Sequence, residues 1–175
     1  ADVLPAAFRD RLARFQRGDG TVKVDWALRA PIPWTDPDLR RAGTVHIADS
    51  LDELTLTAAE LACGLVPRAP FVVLGQMTTA DPSRSPAGTE SAWAYTHVPS
   101  TVAGDATGRI TGRWDDADRD AIVERIEERV EAHAPGFRDL VLERHVMTPD
   151  GLAAANPSLV GGDIGGGDSL VLSIT

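Results

Sequence analysis

The spacing of apolar residues at the start of the chain predicts a helix followed by a strand. Four apolar residues recur at steps of three and four positions and therefore share one helical face: Leu4, Phe8, Leu12 and Phe15. After a glycine-containing stop at residues 18–20, residues 21–28 alternate between apolar and polar side chains, which is typical of a half-buried strand. Its apolar positions are Val22, Val24, Trp26 and Leu28, and Lys23 and Asp25 face the other way.

Further strand and helix patterns follow in an irregular order. Strands are predicted at residues 43–48, 71–77, 91–98 and 140–147, with a last apolar run at 170–174. Helices are predicted at residues 51–65, 115–134 and 148–155. Because strands and helices do not alternate strictly, we expect an α+β fold rather than a doubly wound one. The expectation is a single domain over residues 1–175, with an antiparallel or mixed sheet of about five to six strands and helices packed on one face.

Aromatic residues are concentrated in one of these strands. Alternation along residues 91–98 places Trp93, Tyr95 and His97 on one face. Together with Trp26 and Trp34, they are suited to line an apolar cavity that has a few polar groups. A plain hydrophobic core with an interface is the alternative, and the sequence leaves both open.

Two single residues also have alternative interpretations. Gln76 lies inside an apolar strand, so a buried Gln76 needs a hydrogen-bond partner, either a ligand or neighbouring backbone. Cys63 lies in an Ala- and Leu-rich helix and is predicted to be a small buried residue rather than a nucleophile. The charged residues of the helix at 115–134, including Glu127, are expected on a solvated face.

Composition and charge exclude several classes of protein. The chain has 175 residues, 43% of them hydrophobic, and a net charge of −9, which argues against nucleic acid as a partner. No apolar run approaches the roughly 20 residues of a membrane span, and the N-terminus does not resemble a signal peptide. A single cysteine allows no internal disulfide, so we expect a reducing, cytoplasmic location. The basic residues are sixteen arginines and one lysine, Lys23, which we interpret as coding bias.

Familiar catalytic motifs are missing from the sequence. The glycine run at residues 161–167 matches neither a P-loop nor a dinucleotide-binding fingerprint, and no other segment does. It is interpreted either as a turning connection or as a place where backbone closely approaches a cofactor or partner. The sequence has no nucleophile elbow, and His46 with Asp49 is too small a set to predict a metal site.

A series of short sequence segments, taken in order along the chain, resembles the phytoene dehydrogenase-like family of FAD-dependent oxidoreductases. The resemblance extends from about Leu4 to about Leu172. The order of the segments is more specific for the family than any single segment. In chain order they are Lys23-Val24-Asp25-Trp26-Ala27-Leu28, Pro31-Ile32-Pro33-Trp34, Ala42-Gly43-Thr44-Val45-His46, Gly75-Gln76, Ala80-Asp81-Pro82-Ser83-Arg84, Trp93-Ala94-Tyr95-Thr96-His97-Val98-Pro99, Ala134-Pro135-Gly136-Phe137, Asn156-Pro157 and Gly161-Gly162-Asp163-Ile164-Gly165-Gly166.

The resemblance implies the substrate-side domain that such enzymes interpose in their FAD domain. The expected substrate is small and apolar, with hydride removed to FAD, and the expected partner is the FAD-binding domain that this sequence lacks. Under this interpretation the chain is a fragment that is inactive alone and binds no FAD by itself. The residues expected at the substrate are Trp34, Gln76, Trp93, Tyr95 and His97. Those expected beside the flavin are Gly161, Gly162, Asp163, Gly165 and Gly166.

A non-enzymatic module is the competing interpretation. A compact α+β domain with an apolar cavity can bind a lipid-like ligand, or dimerise, without any cofactor. Under the fragment interpretation, the surface that would normally meet the FAD-binding domain is expected to be apolar, and its exposure predicts a homo-oligomer.

Overall fold

The computed structural model describes residues 3–167, which form an α+β fold around a five-stranded antiparallel sheet. The helices are α1 (Ala6–Ala13), α2 (Leu51–Ala62), α3 (Met77–Ala80), α4 (Asp116–His133), α5 (Phe137–Leu140) and α6 (Pro149–Ala155). The strands are β1 (Gly20–Leu28), β2 (Thr44–Ile47), β3 (Leu65–Val66), β4 (Val72–Gln76), β5 (Glu90–Val98), β6 (Gly104–Asp105) and β7 (Val141–Met147). The predicted fold class is confirmed. The apolar run at 170–174 lies outside the described residues.

The large sheet has the strand order β2-β4-β5-β1-β7, and every neighbouring pair is antiparallel. The long β1–β5 pair runs in register from Gly20 opposite Val98 to Leu28 opposite Glu90. On β2 and β5 the burial of successive residues alternates strictly, so one face of the sheet is buried more deeply than the other. Such alternation is typical of an antiparallel sheet that packs its core on one side.

The hydrophobic core lies between the more deeply buried face and α4. Ile122, Ile126 and Val130 supply the predicted apolar stripe of this helix, and all three are fully buried. Trp26 of β1 meets the ring of Phe137 edge-on, with ring centroids 5.3 Å apart. This packing covers one face of the sheet with helical residues, as the sequence predicts.

Helix starts follow the local sequence signals. The hydroxyl of Ser50 accepts a hydrogen bond from the Glu53 backbone at the start of α2. The side chain of Asp115 does the same for α4, and Thr148 caps α6, which has Pro149 in its first turn. Each cap satisfies a backbone donor that the helix itself leaves unpaired, which fixes where the helix begins.

Three expectations about burial are wrong. Cys63 is exposed, because α2 ends at Ala62 and leaves Cys63 at its C-terminal cap. Glu127 on α4 is buried rather than solvated, because its carboxylate accepts hydrogen bonds from Trp26 Nε1 at 2.9 Å and Arg144 Nε at 2.6 Å. The pattern of the strand predicted at residues 140–147 places Leu140, Leu142 and Val146 in the core, but Leu142 is 56% exposed on the edge strand β7.

A second buried charge on α4 holds the small β3–β6 ladder against the helix. The Arg125 guanidinium donates to both carboxylate oxygens of Asp105, at 2.8 and 3.0 Å, and to the Pro67 carbonyl at 2.6 Å. Burial alone would raise the pKa of Asp105, but the hydrogen bonds from Arg125 and Thr107 outweigh it and hold that pKa well below its usual range. Among residues 3–167, no helix is long and apolar enough to cross a membrane.

Candidate functional site

The less buried side of the large sheet, here called the open face, carries the candidate site. Strand register brings its residues into neighbouring rows: Thr44 and His46 of β2, Val73 and Gly75 of β4, Trp93, Tyr95 and His97 of β5, and Thr21, Lys23 and Asp25 of β1. The three rings on β5 are half-buried, whereas Thr21 is only 1% exposed. The open face is therefore partly enclosed at the end of β1 where Thr21 lies.

Trp93, Tyr95 and His97 form a continuous row, as the sequence predicts. The rings of Trp93 and Tyr95 are stacked with centroids 6.0 Å apart, and His97 meets Tyr95 edge-on at 5.7 Å. The indole of Trp93 lies against Gly75, where an added Cβ would come within 2.2 Å of the ring. Trp93 Nε1 donates to the sulfur of Met77 at 3.1 Å. The lack of a side chain at Gly75 thus allows the indole to lie flat on the sheet.

An apolar cavity of about 430 Å³ opens on this row. Its lining comes from two strands, α6 and the glycine run: Thr21, Lys23, Trp93, Tyr95, Leu152 and Ile164. The volume falls within the roughly 300–1,000 Å³ of ordinary ligand pockets. The predicted aromatic face and a cavity of ligand size therefore occur together.

The sequence analysis missed four residues of this cavity: Thr21 and Lys23 of β1, Leu152 of α6 and Ile164 of the glycine run. The ammonium of Lys23 pairs with the carboxylate of Asp25, two positions further along the same strand. Lys23 is the only lysine among seventeen basic residues. Composition alone suggests coding bias as the reason for this rarity and does not point to a site. Its placement on the open face, beside Tyr95 in the strand register, makes it part of the candidate site.

Trp34 and Gln76 do not join the other predicted substrate residues. Both are buried, and Gln76 lies on the core side of β4, opposite to the side that carries Gly75. The indole of Trp34 donates to Gln76 Oε1 at 2.9 Å, and Gln76 Nε2 donates to the carbonyls of Leu39 and Ala42. The sequence left open whether a buried Gln76 bonds a ligand or neighbouring backbone. In the structure it bonds backbone carbonyls and the indole of Trp34.

Asp163 organises the glycine run. Its carboxylate is 3% exposed and accepts hydrogen bonds from the backbone of Gly165 and Gly166 on Oδ1, at 2.7 and 3.1 Å. Its other oxygen, Oδ2, accepts from Gly18 at 2.9 Å, across 145 positions of sequence. These hydrogen bonds form a clasp between the segment that precedes β1 and the glycine run, next to the open face.

At Gly165 and Gly166 the run leaves backbone without side chains at the surface, whereas Gly162 is buried against Pro149. Gly161, Gly162 and Gly166 have positive φ, and a Cβ on Gly166 would meet no atom within 4 Å. A flat ring system can approach such backbone closely. The amides of Gly165 and Gly166 already bond Asp163, so they are not free to hold a phosphate. The run fits contact with a flavin ring and does not fit a phosphate cradle.

His46 and Asp49, weighed above as metal ligands, each take part in other interactions. His46 meets the ring of Phe71 edge-on at 5.4 Å, whereas Asp49 accepts from Arg129 and lies 3.0 Å from His133 Nε2. Within residues 3–167, no three His, Cys, Asp or Glu side chains are grouped closely enough to hold a metal ion.

Comparison with known proteins connects the chain to oxidoreductases. No protein-family model matches it. It is 28% identical over 160 residues to the rat pyridine nucleotide-disulfide oxidoreductase domain-containing protein 2, and 27% identical to the mouse protein of that name. The match covers 85% of this chain but 26% of each relative, so the chain spans about a quarter of the curated relatives it matches.

A solved structure, an oxidoreductase from Methanosarcina mazei, matches with a TM-score of 0.42 and 15% identity over 84% of this chain and 27% of that one. The names of the relatives support an oxidoreductase-related chain. They do not extend to the narrower phytoene dehydrogenase-like family of the sequence resemblance.

Proposed function

We propose that this chain is the substrate-binding domain of an FAD-dependent oxidoreductase of the phytoene dehydrogenase-like type, acting on a small apolar substrate. The observation that carries the proposal is the aromatic row of Trp93, Tyr95 and His97 beside an apolar cavity of about 430 Å³. The similarity to much longer oxidoreductase-named relatives supports it. In this proposal the chain has no activity alone, because the rest of the parent protein binds the cofactor.

The residues of the open face have defined tasks in this proposal. FAD, when bound by the parent protein, supplies the hydride acceptor. Trp93, Tyr95 and His97 form the wall that orients an apolar substrate and excludes water from it, which stacked aromatic surface does well. The exposed backbone at Gly165 and Gly166 contacts the flavin ring, with the half-buried Gly161 nearby, and the buried Gly162 and Asp163 hold the run in shape. Trp34 and Gln76 support the sheet from its other face.

The clasp between Gly18 and Asp163 is consistent with an interposed domain. A domain inserted into another needs its entry and exit close together, as chain ends of natural domains often are. Here the backbone of Gly18 and the carboxylate of Asp163 are 2.9 Å apart, and an added Cβ on Gly18 would lie 3.1 Å from the Gly167 carbonyl. This proximity of the segment before β1 to the glycine run supports the proposal of an interposed domain.

The test uses a longer protein that contains this chain and binds FAD, recognised by the visible absorbance of the flavin. Substituting Trp93→Ala and His97→Ala should raise KM for an apolar substrate at least about tenfold, because each removes apolar contact worth about 1.5 kcal/mol or more. Flavin content should not change. His133→Ala, at the end of α4, is the matched control. Unchanged turnover and KM in both site variants would refute the substrate wall.

A ligand-binding module without a cofactor is the second candidate. It is favoured by the ligand-sized volume and apolar lining of the cavity on the open face. The two candidates differ in one measurement on the longer protein. If it purifies without flavin absorbance and takes up no added FAD, the oxidoreductase proposal fails and the binding module is favoured.

A further inference from the structure

Two buried polar atoms on the open face have no hydrogen-bond partner among residues 3–167. They are Oγ1 of Thr21 and Nδ1 of His97. Buried side-chain polar atoms in proteins are nearly always hydrogen-bonded, because an unpaired one costs free energy comparable to a lost hydrogen bond. One further atom of this kind, Nε of Arg129, belongs to a guanidinium that already bonds Asp49 and Glu53.

The unpaired atoms of Thr21 and His97 belong to neighbouring residues. Thr21 of β1 is directly opposite His97 of β5 in the strand register. Side chains opposite each other in an antiparallel pair have Cβ atoms about 4.5–5.5 Å apart and share one face of the sheet. Two unsatisfied groups at such a distance can be satisfied by a single small polar group placed between them.

Thr21 and His97 also adjoin apolar space. Thr21 lines the cavity of about 430 Å³. His97 lines a smaller cavity of about 180 Å³ beside α2, whose lining includes Leu54, Leu61 and Phe71. Of the other polar side chains that line the larger cavity, Lys23 has its ammonium paired with Asp25, and Tyr95 contributes a phenol. Thr21, which has an unpaired hydroxyl, thus lines the larger cavity, and His97, which has an unpaired ring nitrogen, lines the smaller one.

We infer that this site binds an apolar molecule that carries a hydroxyl group, and that Thr21 and His97 together hold the hydroxyl. A hydroxyl both donates and accepts, as does the Thr21 side chain, so it pairs with Nδ1 whichever ring nitrogen of His97 carries the proton. A pure hydrocarbon leaves both atoms unpaired, at a cost to affinity. This inference rests on the proposed apolar-substrate function and narrows it from apolar compounds in general to apolar alcohols.

The test compares benzyl alcohol with toluene as probes of the 175-residue chain. Binding is followed by NMR of the Trp93 indole N–H, and the ¹⁵N shift of His97 Nδ1 reports the hydrogen bond. Benzyl alcohol should move the His97 Nδ1 resonance and toluene should not. Thr21→Val should weaken benzyl alcohol binding about fivefold and leave toluene binding unchanged, since it removes one hydrogen bond and keeps the shape.

Thr44→Val is the matched control, because Thr44 lies on the same face at the exposed edge strand. It should change neither affinity. The stability of the free protein gives a second measurement: Thr21→Val should leave Tm unchanged or raise it, because the hydroxyl it removes has no partner. A clear drop in Tm would show that the hydroxyl is bonded within the protein and would overturn the inference.

Failure of this inference differs from failure of the proposed function. If Thr21→Val weakens both probes equally, or neither, while toluene still binds beside Trp93, the hydroxyl site is refuted and the apolar wall stands. If the alcohol-specific effect is found but the longer protein takes up no FAD, the hydroxyl site stands and the oxidoreductase function falls.

Discussion

Gly75 and Trp93 show how one missing side chain shapes the candidate site. The indole occupies the space where a side chain at position 75 would begin, 2.2 Å from the ideal Cβ position. The flat placement of Trp93 brings it parallel to Tyr95, with 7° between the ring planes. The aromatic row therefore depends on a glycine in the neighbouring strand as much as on the rings themselves.

Substituting Gly75→Ala should displace the indole of Trp93 and destabilise the fold by about 1–3 kcal/mol, the usual cost of overpacking. The indole lies over Gly75, so a methyl group there moves the ring away from its stack on Tyr95. Near-ultraviolet circular dichroism will report the lost stack, and urea unfolding will report the free energy. Gly43→Ala is the control, since a Cβ there meets no atom within 4 Å. Equal stability of the two variants would contradict this account of Trp93.

At the scale of elements, α4 is attached to the sheet by buried polar contacts as well as by its apolar stripe. The carboxylate of Glu127 accepts from the indole N–H of Trp26 on β1 and from the guanidinium of Arg144 on β7. One helix position thus joins two adjacent strands. Trp26 is 101 positions away in sequence, so the pattern of the helix does not reveal this contact. From that pattern alone, Glu127 is predicted to be an ordinary exposed charge.

Replacing Glu127→Ala should lower the free energy of unfolding by about 2–3 kcal/mol, because it leaves the buried indole N–H without an acceptor and Arg144 without its partner. The neighbouring substitution Glu128→Ala removes a side chain that is 59% exposed and should cost less than about 0.5 kcal/mol. Chemical denaturation of both variants measures the difference. Similar losses in the two proteins would show that the Trp26 contact contributes little.

At the scale of the whole molecule, apolar surface is left exposed at α1. Of the four residues of the predicted apolar stripe, only Phe8 and Leu12 lie within α1. No residue of this helix is buried, and Leu4, Phe8 and Leu12 are 41–51% exposed. An amphipathic helix with an uncovered stripe favours contact with another surface. In the proposed parent protein that surface belongs to the FAD-binding domain, and in its absence a second copy of the chain can take its place.

We therefore expect the chain to self-associate as its concentration rises, with a weaker tendency in a Phe8→Ser, Leu12→Ser double variant. Burial of the two side chains at an interface supplies the driving force, at about 25 cal/mol per Å² of apolar surface. Sedimentation velocity over a range of concentrations measures it. Leu51→Ser, which changes an 80% exposed leucine on α2, is the control. A wild-type chain that stays monomeric throughout would contradict the prediction.

Local periodicity predicted most of the fold but only part of the candidate site. Alternation along β5 was enough to place Trp93, Tyr95 and His97 on one face. Gln76 was wrongly grouped with them, because which side of β4 faces these rings depends on the register between two strands. Thr21 was missed for the same reason: its position opposite His97 follows from the β1–β5 pairing, which the sequence of either strand does not reveal.

Lys23 offers a site for selective chemical labelling. Amine-directed reagents react with lysine and with the terminal amine, and this chain offers a single lysine among 175 residues. That lysine lines the candidate cavity and is 34% exposed. A fluorophore or cross-linker can thus be attached at the rim of the open face without engineering any residue.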